Sequence, residues 1–503
     1  MKRKLDPSTT VIPFILILLL CGLFILYPEG STNALSAIRC FLGDTFGSYY
    51  LVVGLGILLV SLYLAYSPIG NITLGTPGET PKYGFWTWGA MVFTCGLAAD
   101  ILFYSFCEWI YYADEPHIAE LGVTEWANAY SLFHWGPIPW SFYAVLAAAF
   151  GFMLHVRGRT KQKYSEACRP ILGRYTDRLP GKLVDILAVF ALIAGTATTF
   201  SVATPLLSDC ITALFGGTAT KWLSILILLA VCATYTVSVM NGLKGVERLS
   251  NLCMYLFGAL LLYVLFAGGE TRYILESGLT ALGRTIQNFI GMSTWTDAAR
   301  SSSFPQNWTI FYWAYWLVWC VAAPFFMGGV SRGRTVRQVI MGSYGFGVLS
   351  TIVSFIILGN YGMGAQLRGT VDALGIYAAS GNIYATVIEI IKTLPLYPIV
   401  LVLVILSMTA FYASSFDSIT LVACQYSYRE THGMEASPKR MRLFWAVFLI
   451  LLPIALIFSE GSMNNLQTVS IIAAFPIGLV IILIIASFIK DAKRYLADGD
   501  DSD

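Results

Sequence analysis

The sequence predicts an all-α integral membrane protein. Hydrophobic residues occupy 57% of the 503 positions and charged residues only 12%, whereas soluble domains carry roughly 25% charged residues. About twelve apolar stretches approach the ~20 residues that a helix needs to cross a bilayer. Basic residues cluster in particular loops between these stretches, which gives the chain a defined orientation in the membrane.

Each predicted span is an apolar run between polar or glycine- and proline-containing segments. The first run resembles a signal peptide, but no small-x-small cleavage site follows it, so we interpret it as a span. The predicted spans lie near residues 11–29, 47–66, 86–112, 127–155, 184–210, 221–240, 250–267, 307–330, 338–360, 396–423, 443–459 and 467–489.

Basic residues determine the predicted orientation. The segment 157–182 contains eight Lys and Arg residues against two acidic ones, and further basic clusters at 332–337, 429–442 and 490–494 fall on the same side. The connection 113–126 has four acidic residues and no Lys or Arg. The positive-inside rule therefore places both termini in the cytoplasm. The expected location of the protein is the inner (plasma) membrane.

Two outer segments are too long to be simple turns. Residues 270–303 place apolar residues at helical spacing among polar ones, which predicts an interfacial helix leading into the eighth span. Residues 361–395 have a similar pattern. The acidic tail 498–503 is predicted to be disordered.

Composition also excludes several functions. The net charge is +2 and the basic residues are divided among loops, so no nucleic acid is expected as a partner. The ten cysteines are scattered singly, without zinc spacing, which favours buried fillers over a disulfide framework. No cofactor is expected.

The third span contains the first candidate for function. Asp100 follows the small-residue stretch 94–99 in an otherwise apolar helix. An ionisable residue inside a span is costly and usually faces a cavity or a partner, and small residues permit close packing or an unwound backbone. Glu108, two turns further on, either braces the helix end or contacts a ligand.

Aromatic residues provide the second candidate. Six of the 13 tryptophans fall within residues 130–143 and 307–319, although interfacial anchoring alone would scatter them along many spans. Trp140 and Tyr143 share a helix face, and Gly136 and the prolines beside it interrupt the helix. Rings of this kind bind quaternary ammonium ions by cation–π contact, so the two windows predict a pocket for an organic cation.

Three motifs resemble the betaine/carnitine/choline transporter family. They are Phe133-His-Trp-Gly136, Phe304-Pro-Gln-Asn-Trp-Thr-Ile-Phe-Tyr-Trp313 and Ser331-Arg-Gly-Arg-Thr335, and the match extends over nearly the whole chain. The resemblance implies a LeuT-like arrangement of two inverted five-helix repeats, spans 3–7 and 8–12, around a site near the membrane midplane. It also implies a homotrimer in the lipid bilayer. The implied segments are 1–85 (two leading helices), 86–267 (first repeat), 268–306 (interfacial helix), 307–489 (second repeat) and 490–503 (cytoplasmic tail).

The resemblance also assigns substrate-binding residues by position. Trp319 corresponds to a second aromatic position nearer the cytoplasm, and Tyr111 to a tyrosine that lines the pocket of carnitine exchangers. Tyr315 stands where many members have tryptophan. Asp100 stands where betaine carriers typically have glycine and choline-accepting members have aspartate. The family's aromatic box falls on Trp135, Trp140, Tyr143 and Trp316.

Coupling remains open between sodium and protons. Sodium-coupled members hold the ion between carbonyl groups of the third span and hydroxyl groups of the tenth, and paired hydroxyls suit a hard cation. Carnitine exchangers resemble this chain at Lys244-Gly-Val246 but have arginine next, where this sequence has Glu247. Asp100 is a candidate proton carrier. The positions that match the sodium site are Thr94, Leu97, Phe411, Ser414 and Ser415.

The predicted function is secondary active import of a quaternary ammonium compound, with choline first. Choline is a net cation, so Asp100 supplies its counter-charge, whereas a betaine brings its own carboxylate close to that residue. Glycine betaine or carnitine/γ-butyrobetaine carriage or exchange is the alternative. An enzyme, suggested only by His134 with Ser131 or Ser141, lacks a second base or metal ligands, and a channel lacks charge rings.

Overall fold

The computed structural model describes residues 4–431, 437–457 and 462–500. These residues form helices, turns and two isolated β-bridges, and none of them forms a strand. The helices of the first part are α1 Pro7–Leu26, α2 Pro28–Thr45, α3 Gly47–Tyr66, α4 Phe85–Thr94, α5 Ala98–Ala113, α6 Pro116–Leu121, α7 Val123–His134, α8 Pro137–Gly151, α9 Arg169–Leu172, α10 Leu179–Phe215, α11 Lys221–Met240 and α12 Leu243–Ala267.

The second part continues in the same way. Its helices are α13 Thr271–Thr294, α14 Ile310–Trp319, α15 Ala323–Val330, α16 Val336–Ser343, α17 Leu349–Ser354, α18 Asn360–Leu367, α19 Ala373–Ser380, α20 Ile383–Lys392, α21 Tyr397–Tyr426, α22 Lys439–Ile457 and α23 Ser462–Asp500. Four π-helical segments lie between or beside them: Phe152–Val156, Pro305–Thr309, Tyr344–Val348 and Phe355–Gly359.

The predicted all-α membrane class is confirmed. Within the described ranges, nine helices are long and apolar enough to cross a membrane, and two bent pairs raise the number to as many as 11. The predicted span 443–459 corresponds to α22, and its last two residues lie outside the described part of the chain. Helix α13 lies where the interfacial helix was predicted, with Leu279 and Ile286 exposed and Ile274 buried against the protein. Its place at the membrane interface stays a prediction.

The first bent span consists of α4 and α5, whose axes differ by 68° across residues 95–97. Gly96 lies in this break, and a Cβ atom there would come within 2.9 Å of Cε2 of Tyr143. A side chain at position 96 would therefore force the aromatic ring away. The small residues that the sequence analysis noted permit both the break and the close approach.

The second bent span runs through Pro305–Trp319 and α15, with a bend of 51°. The prediction treated residues 307–330 as one span, and the structure divides it after Trp319. Pro324 is the physical reason, because it has no N–H to donate to the carbonyl of Cys320, four residues earlier. Both bends are of the kind that lines substrate sites in secondary transporters.

Three segments differ from the sequence prediction. Helix α2 is not among the predicted elements, because its residues are too polar for a span. The single interfacial helix predicted for 361–395 is instead the end of α18 followed by α19 and α20, separated by Gly369 and Gly381 in left-handed conformations. The acidic tail is helical as far as Asp500, and residues 501–503 lie outside the described ranges.

The basic loops and both ends of the chain meet on one face, which we call the terminal face. Lys163 pairs with Asp6, and Nη2 of Arg157 lies 2.9 Å from Oδ1 of Asp491. On the same face Arg169 and Lys161 hold the pKa of Asp177 at about 2. The opposite, distal face carries α2, α6 and α13. This grouping agrees with the predicted topology, while its orientation in the cell stays a prediction.

Cysteine labelling tests that orientation. Cys40 on α2 is the one exposed thiol among the ten cysteines, so a membrane-impermeant maleimide added to intact cells should modify the protein. The variant Cys40→Ser should lose this labelling. In that background Arg174→Cys on the terminal face should react only after the cells are permeabilised. Labelling of position 174 in intact cells would show that the terminal face lies outside and would contradict the predicted orientation.

Candidate substrate site

Four aromatic rings meet in the interior, and we call them the aromatic box: Trp135, Trp140, Tyr143 and Trp316. The ring of Trp316 lies 5.5 Å from Trp135, 5.4 Å from Trp140 and 5.1 Å from Tyr143, measured between centroids. All four side chains are buried. The structure therefore brings together the four residues that the resemblance assigned to one box.

The interruption between α7 and α8 positions three of these rings. Trp135 follows the last residue of α7, Gly136 turns the chain, and α8 begins at Pro137. Trp140 and Tyr143 lie one turn apart on α8 with centroids 5.8 Å apart. The fourth ring comes from α14. Because Trp316 contacts all three, an ammonium group can enter among the rings only when the second bent span moves relative to α7 and α8.

The box contains polar atoms that no protein group satisfies in the described structure. Nε1 of Trp140, Nε1 of Trp316 and the hydroxyl of Tyr143 are buried without a hydrogen-bond partner. Buried donors are nearly always paired in proteins. These atoms can therefore bind oxygen atoms of a ligand whose cationic group contacts the rings.

Asp100 lies beside the box, in the first turn of α5. Its Oδ1 accepts a hydrogen bond from the hydroxyl of Tyr315 at 2.8 Å, and its Oδ2 accepts one from Oγ1 of Thr199 at 3.1 Å. The side chain is completely buried. The helix N-terminus adds a favourable partial charge. A carboxyl group is thus held in the interior by two hydroxyls and a helix end.

Tyr315, predicted as a substrate-binding residue in place of tryptophan, donates its hydroxyl to Asp100. Its contact with the substrate stays a prediction. The two departures from the betaine-carrier pattern, Asp100 and Tyr315, are therefore in direct contact. A hydroxyl at the tip of a ring supplies a hydrogen bond at the place where the carboxyl needs one.

Two predicted site residues lie outside the box. Tyr111 contacts the rings of Trp308 and Tyr377, at 5.8 and 5.6 Å, on the distal side. Trp319 ends α14 at the break, one turn beyond Trp316 towards the terminal face. Their assignment to the substrate pathway stays a prediction.

The predicted sodium residues surround an oxygen cluster at the first break. Ser415 Oγ donates to the carbonyl of Gly96 at 2.6 Å and lies 3.4 Å from that of Thr94. Ser414 Oγ lies 2.9 Å from Oγ1 of Thr94, which lies 2.9 Å from Oγ of Ser250. These five residues constitute the oxygen cluster, and Ser250 and Gly96 were not predicted. The carbonyl of Leu97 accepts from Ile101, and Phe411 packs on Phe93 and Phe257.

Sequence reasoning did not single out the buried carboxyl of Asp417. Asp417 lies in the tenth span, one turn from Ser414, and accepts hydrogen bonds from Ser238 at 2.6 Å and Ser418 at 3.2 Å. The rule that singled out Asp100, a carboxylate inside an apolar span, applies equally here. Asp417 lies within the predicted span 396–423, so the sequence contains the signal that identifies it.

The histidine considered for catalysis has other partners. Nδ1 of His134 lies 2.6 Å from the hydroxyl of Tyr112 and Nε2 lies 2.9 Å from Oγ1 of Thr309. Ser131 and Ser141 donate to carbonyl groups of their own helices. The nucleophile and base pairing that the sequence raised as an alternative is therefore absent at these three residues.

The two bent spans and the helices packed around them form a LeuT-like fold. A solved structure of MhsT in complex with L-phenylalanine matches 80% of this chain and 89% of its own, with a TM-score of 0.50 and 16% identity. A substrate-bound, outward-open Na⁺-coupled sialic acid symporter matches 90% and 86%, with a TM-score of 0.53 and 12% identity. At these identities the likeness establishes the fold alone.

The family follows from the sequence comparisons. The profile of the betaine/carnitine/choline family of transporters matches residues 8–497, and the chain belongs to this family. A curated relative, the glycine betaine transporter OpuD of Bacillus subtilis (strain 168), is 31% identical over 485 residues, which cover 93% of this chain and 91% of the relative. The predicted resemblance is confirmed, and the protein is a membrane transporter of betaine-like compounds.

A glycine behind the box offers a test of its geometry. At Gly347 a Cβ atom would lie 2.4 Å from the indole of Trp140, whereas at Gly345 it would meet nothing within 4 Å. Gly347→Ala should push the indole into the box and weaken binding of a quaternary ammonium compound about tenfold, since overpacking costs ~1–3 kcal/mol. Gly345→Ala should bind normally. Equal affinities in calorimetry would show that Trp140 does not contact the ligand.

Proposed function

We propose that this protein imports choline by secondary active transport, with the ammonium group in the aromatic box and Asp100 as its counter-charge. The observation that carries the proposal is the buried Asp100 carboxyl beside four aromatic rings. The proposal also includes termini in the cytoplasm and a homotrimer in the inner membrane.

Electrostatics favours choline over a zwitterion. In the low dielectric of the protein interior, a carboxylate attracts a net cation far more strongly than it does in water. Choline carries one positive charge and a hydroxyl, so it leaves no negative group facing Asp100. Tyr315 and Thr199 hold the carboxyl in place, which reduces the cost of arranging it when the cation arrives.

Glycine betaine is the second candidate. The relative OpuD is by name a glycine betaine transporter, and the unpaired donors of Trp140, Trp316 and Tyr143 suit a ligand carboxylate. The same donors also suit the hydroxyl oxygen of choline. Asp100 therefore remains the feature that separates the two substrates.

Transport proceeds by alternating access. Three box rings belong to the segment 135–143 and the fourth to α14, so a bound ammonium group bridges elements that move against each other. Cation–π contacts to both sides are lost when these elements separate and regained when they close. The substrate thereby stabilises the closed state, which lies between the outward-open and inward-open states.

Sodium is the proposed coupling ion, and the oxygen cluster is its site. The carbonyls of Thr94 and Gly96 and the hydroxyls of Ser414 and Ser415 are hard oxygen ligands. They lie at the same break that places Asp100 at the start of α5. Ion binding there stabilises the break and, with it, the position of the carboxyl. Proton coupling through Asp100 is the alternative.

Substitution of Asp100 tests the substrate. Asp100→Asn keeps the shape of the side chain and removes its charge, so choline uptake should fall about tenfold or more, a change of ~1.4 kcal/mol or greater. Asp100→Gly should act in the same direction. Uptake of glycine betaine in the same proteoliposomes should change much less. Equal losses for the two substrates would remove the argument for choline.

Substitution of Ser415 tests the ion. Ser415→Ala should raise the sodium concentration for half-maximal uptake about tenfold, because a ligand and a hydrogen bond to Gly96 are lost together. Thr420→Ala is the matched control, since that hydroxyl bonds only to the carbonyl of Phe416 in its own helix. Wild-type uptake that follows a proton gradient and ignores sodium would contradict the sodium assignment.

A further inference from the structure

Glu108 is a second buried carboxyl at the site, and it contacts the box directly. Its Oε2 accepts the indole N–H of Trp135 at 2.5 Å, and its Oε1 accepts the hydroxyl of Tyr112. The side chain is completely buried in α5. Of the three indoles in the box, Trp135 alone has its N–H bonded to a carboxyl, while those of Trp140 and Trp316 have no partner.

The hydrogen bonds continue from Glu108 to the second bent span. The hydroxyl of Tyr112 lies 2.6 Å from Nδ1 of His134, and Nε2 of His134 lies 2.9 Å from Oγ1 of Thr309. Thr309 belongs to the π-helical segment that leads into α14, which carries Trp316. A chain of four bonds therefore joins one box ring to the helix that carries the facing ring.

The direction of these bonds assigns the protons. Tyr112 has one hydroxyl proton and donates it to Glu108, so it accepts from Nδ1–H of His134. A neutral His134 then accepts at Nε2 from the hydroxyl of Thr309. Every donor in the chain points towards Glu108, which accepts at both oxygens as a carboxylate does.

We propose that Glu108 is a positioning residue for transport. It fixes the ring of Trp135 for the ammonium group, and through Tyr112, His134 and Thr309 it couples the box to movement of the second bent span on the distal side. This inference rests on the proposed function of the box as the substrate site.

Two different effects follow from the two ends of the chain. Removal of the carboxyl frees the Trp135 ring and leaves its N–H buried and unpaired, so substrate affinity falls. Removal of the Thr309 hydroxyl leaves the bond between Glu108 and Trp135 intact and removes the hydrogen bond between His134 and the segment that leads into α14. The second change therefore alters the rate of the conformational step instead of the affinity.

The experiment compares binding and transport of choline in four purified variants. Glu108→Ala should weaken binding about tenfold or more, since a hydrogen bond to a charged group is lost, and Glu108→Gln, which retains one acceptor oxygen, should lie between it and the wild type. Thr309→Val should bind within about twofold of the wild type, but its maximal uptake rate should change severalfold. Glu115→Gln is the control, because Glu115 accepts an indole N–H from Trp308, outside the box, and its affinity should be unchanged.

A fifth variant separates this inference from the proposed function. If Trp140→Leu abolishes binding while both Glu108 variants bind like the wild type, Glu108 does not position the box and this inference fails alone. If Trp140→Leu also binds normally, the box is not the substrate site and the proposed function fails. Equal changes in affinity and rate for Glu108→Gln and Thr309→Val would overturn the division of roles. Should Glu108→Ala fail to fold, the Gln and Val variants decide the outcome.

Discussion

The break at residues 95–97 is the feature on which the site depends. It frees the carbonyls of Thr94 and Gly96 from helical hydrogen bonding and lets Ser415 reach them. A new helix begins directly after it, at Ala98, which puts Asp100 in a first turn. Glycine at position 96 admits the ring of Tyr143. The ion ligands, the carboxyl and one wall of the box thus share a single backbone irregularity.

The two buried carboxyls of the site have hydrogen-bond partners that include residues distant in the chain. Asp100 is held by Thr199 and Tyr315, and Glu108 by Trp135 and Tyr112. In a protein interior each such carboxyl is costly unless its hydrogen bonds are made. The network therefore specifies the relative positions of several helices as well as the shape of the site.

The sequence predicts those features that depend on residue type and spacing. Apolar runs of sufficient length indicated where the chain crosses the membrane, and Asp100 and the two aromatic windows were identified because such residues are rare or clustered inside spans. The four box rings were assigned by the family resemblance. The role of Tyr315, the contact between Ser250 and Thr94 and the connection from Glu108 to Thr309 were not predictable, since each joins residues far apart in the chain. Pro324, by contrast, was visible and signals the second bend. Asp417, like Asp100, is a carboxylate inside an apolar span, so the same rule predicts a functional role for it.

The aromatic box has one wall supported by backbone at Gly347 and another formed by Trp316. Because Gly347 has no side chain, the indole of Trp140 rests on the backbone of the segment Tyr344–Val348, and a backbone surface yields little. Trp316, on the second bent span, faces it from a helix that must move during transport. In the proposed function the pocket therefore has one rigid wall and one movable wall, and the size of the ammonium group that it accepts depends on how far the second span can close.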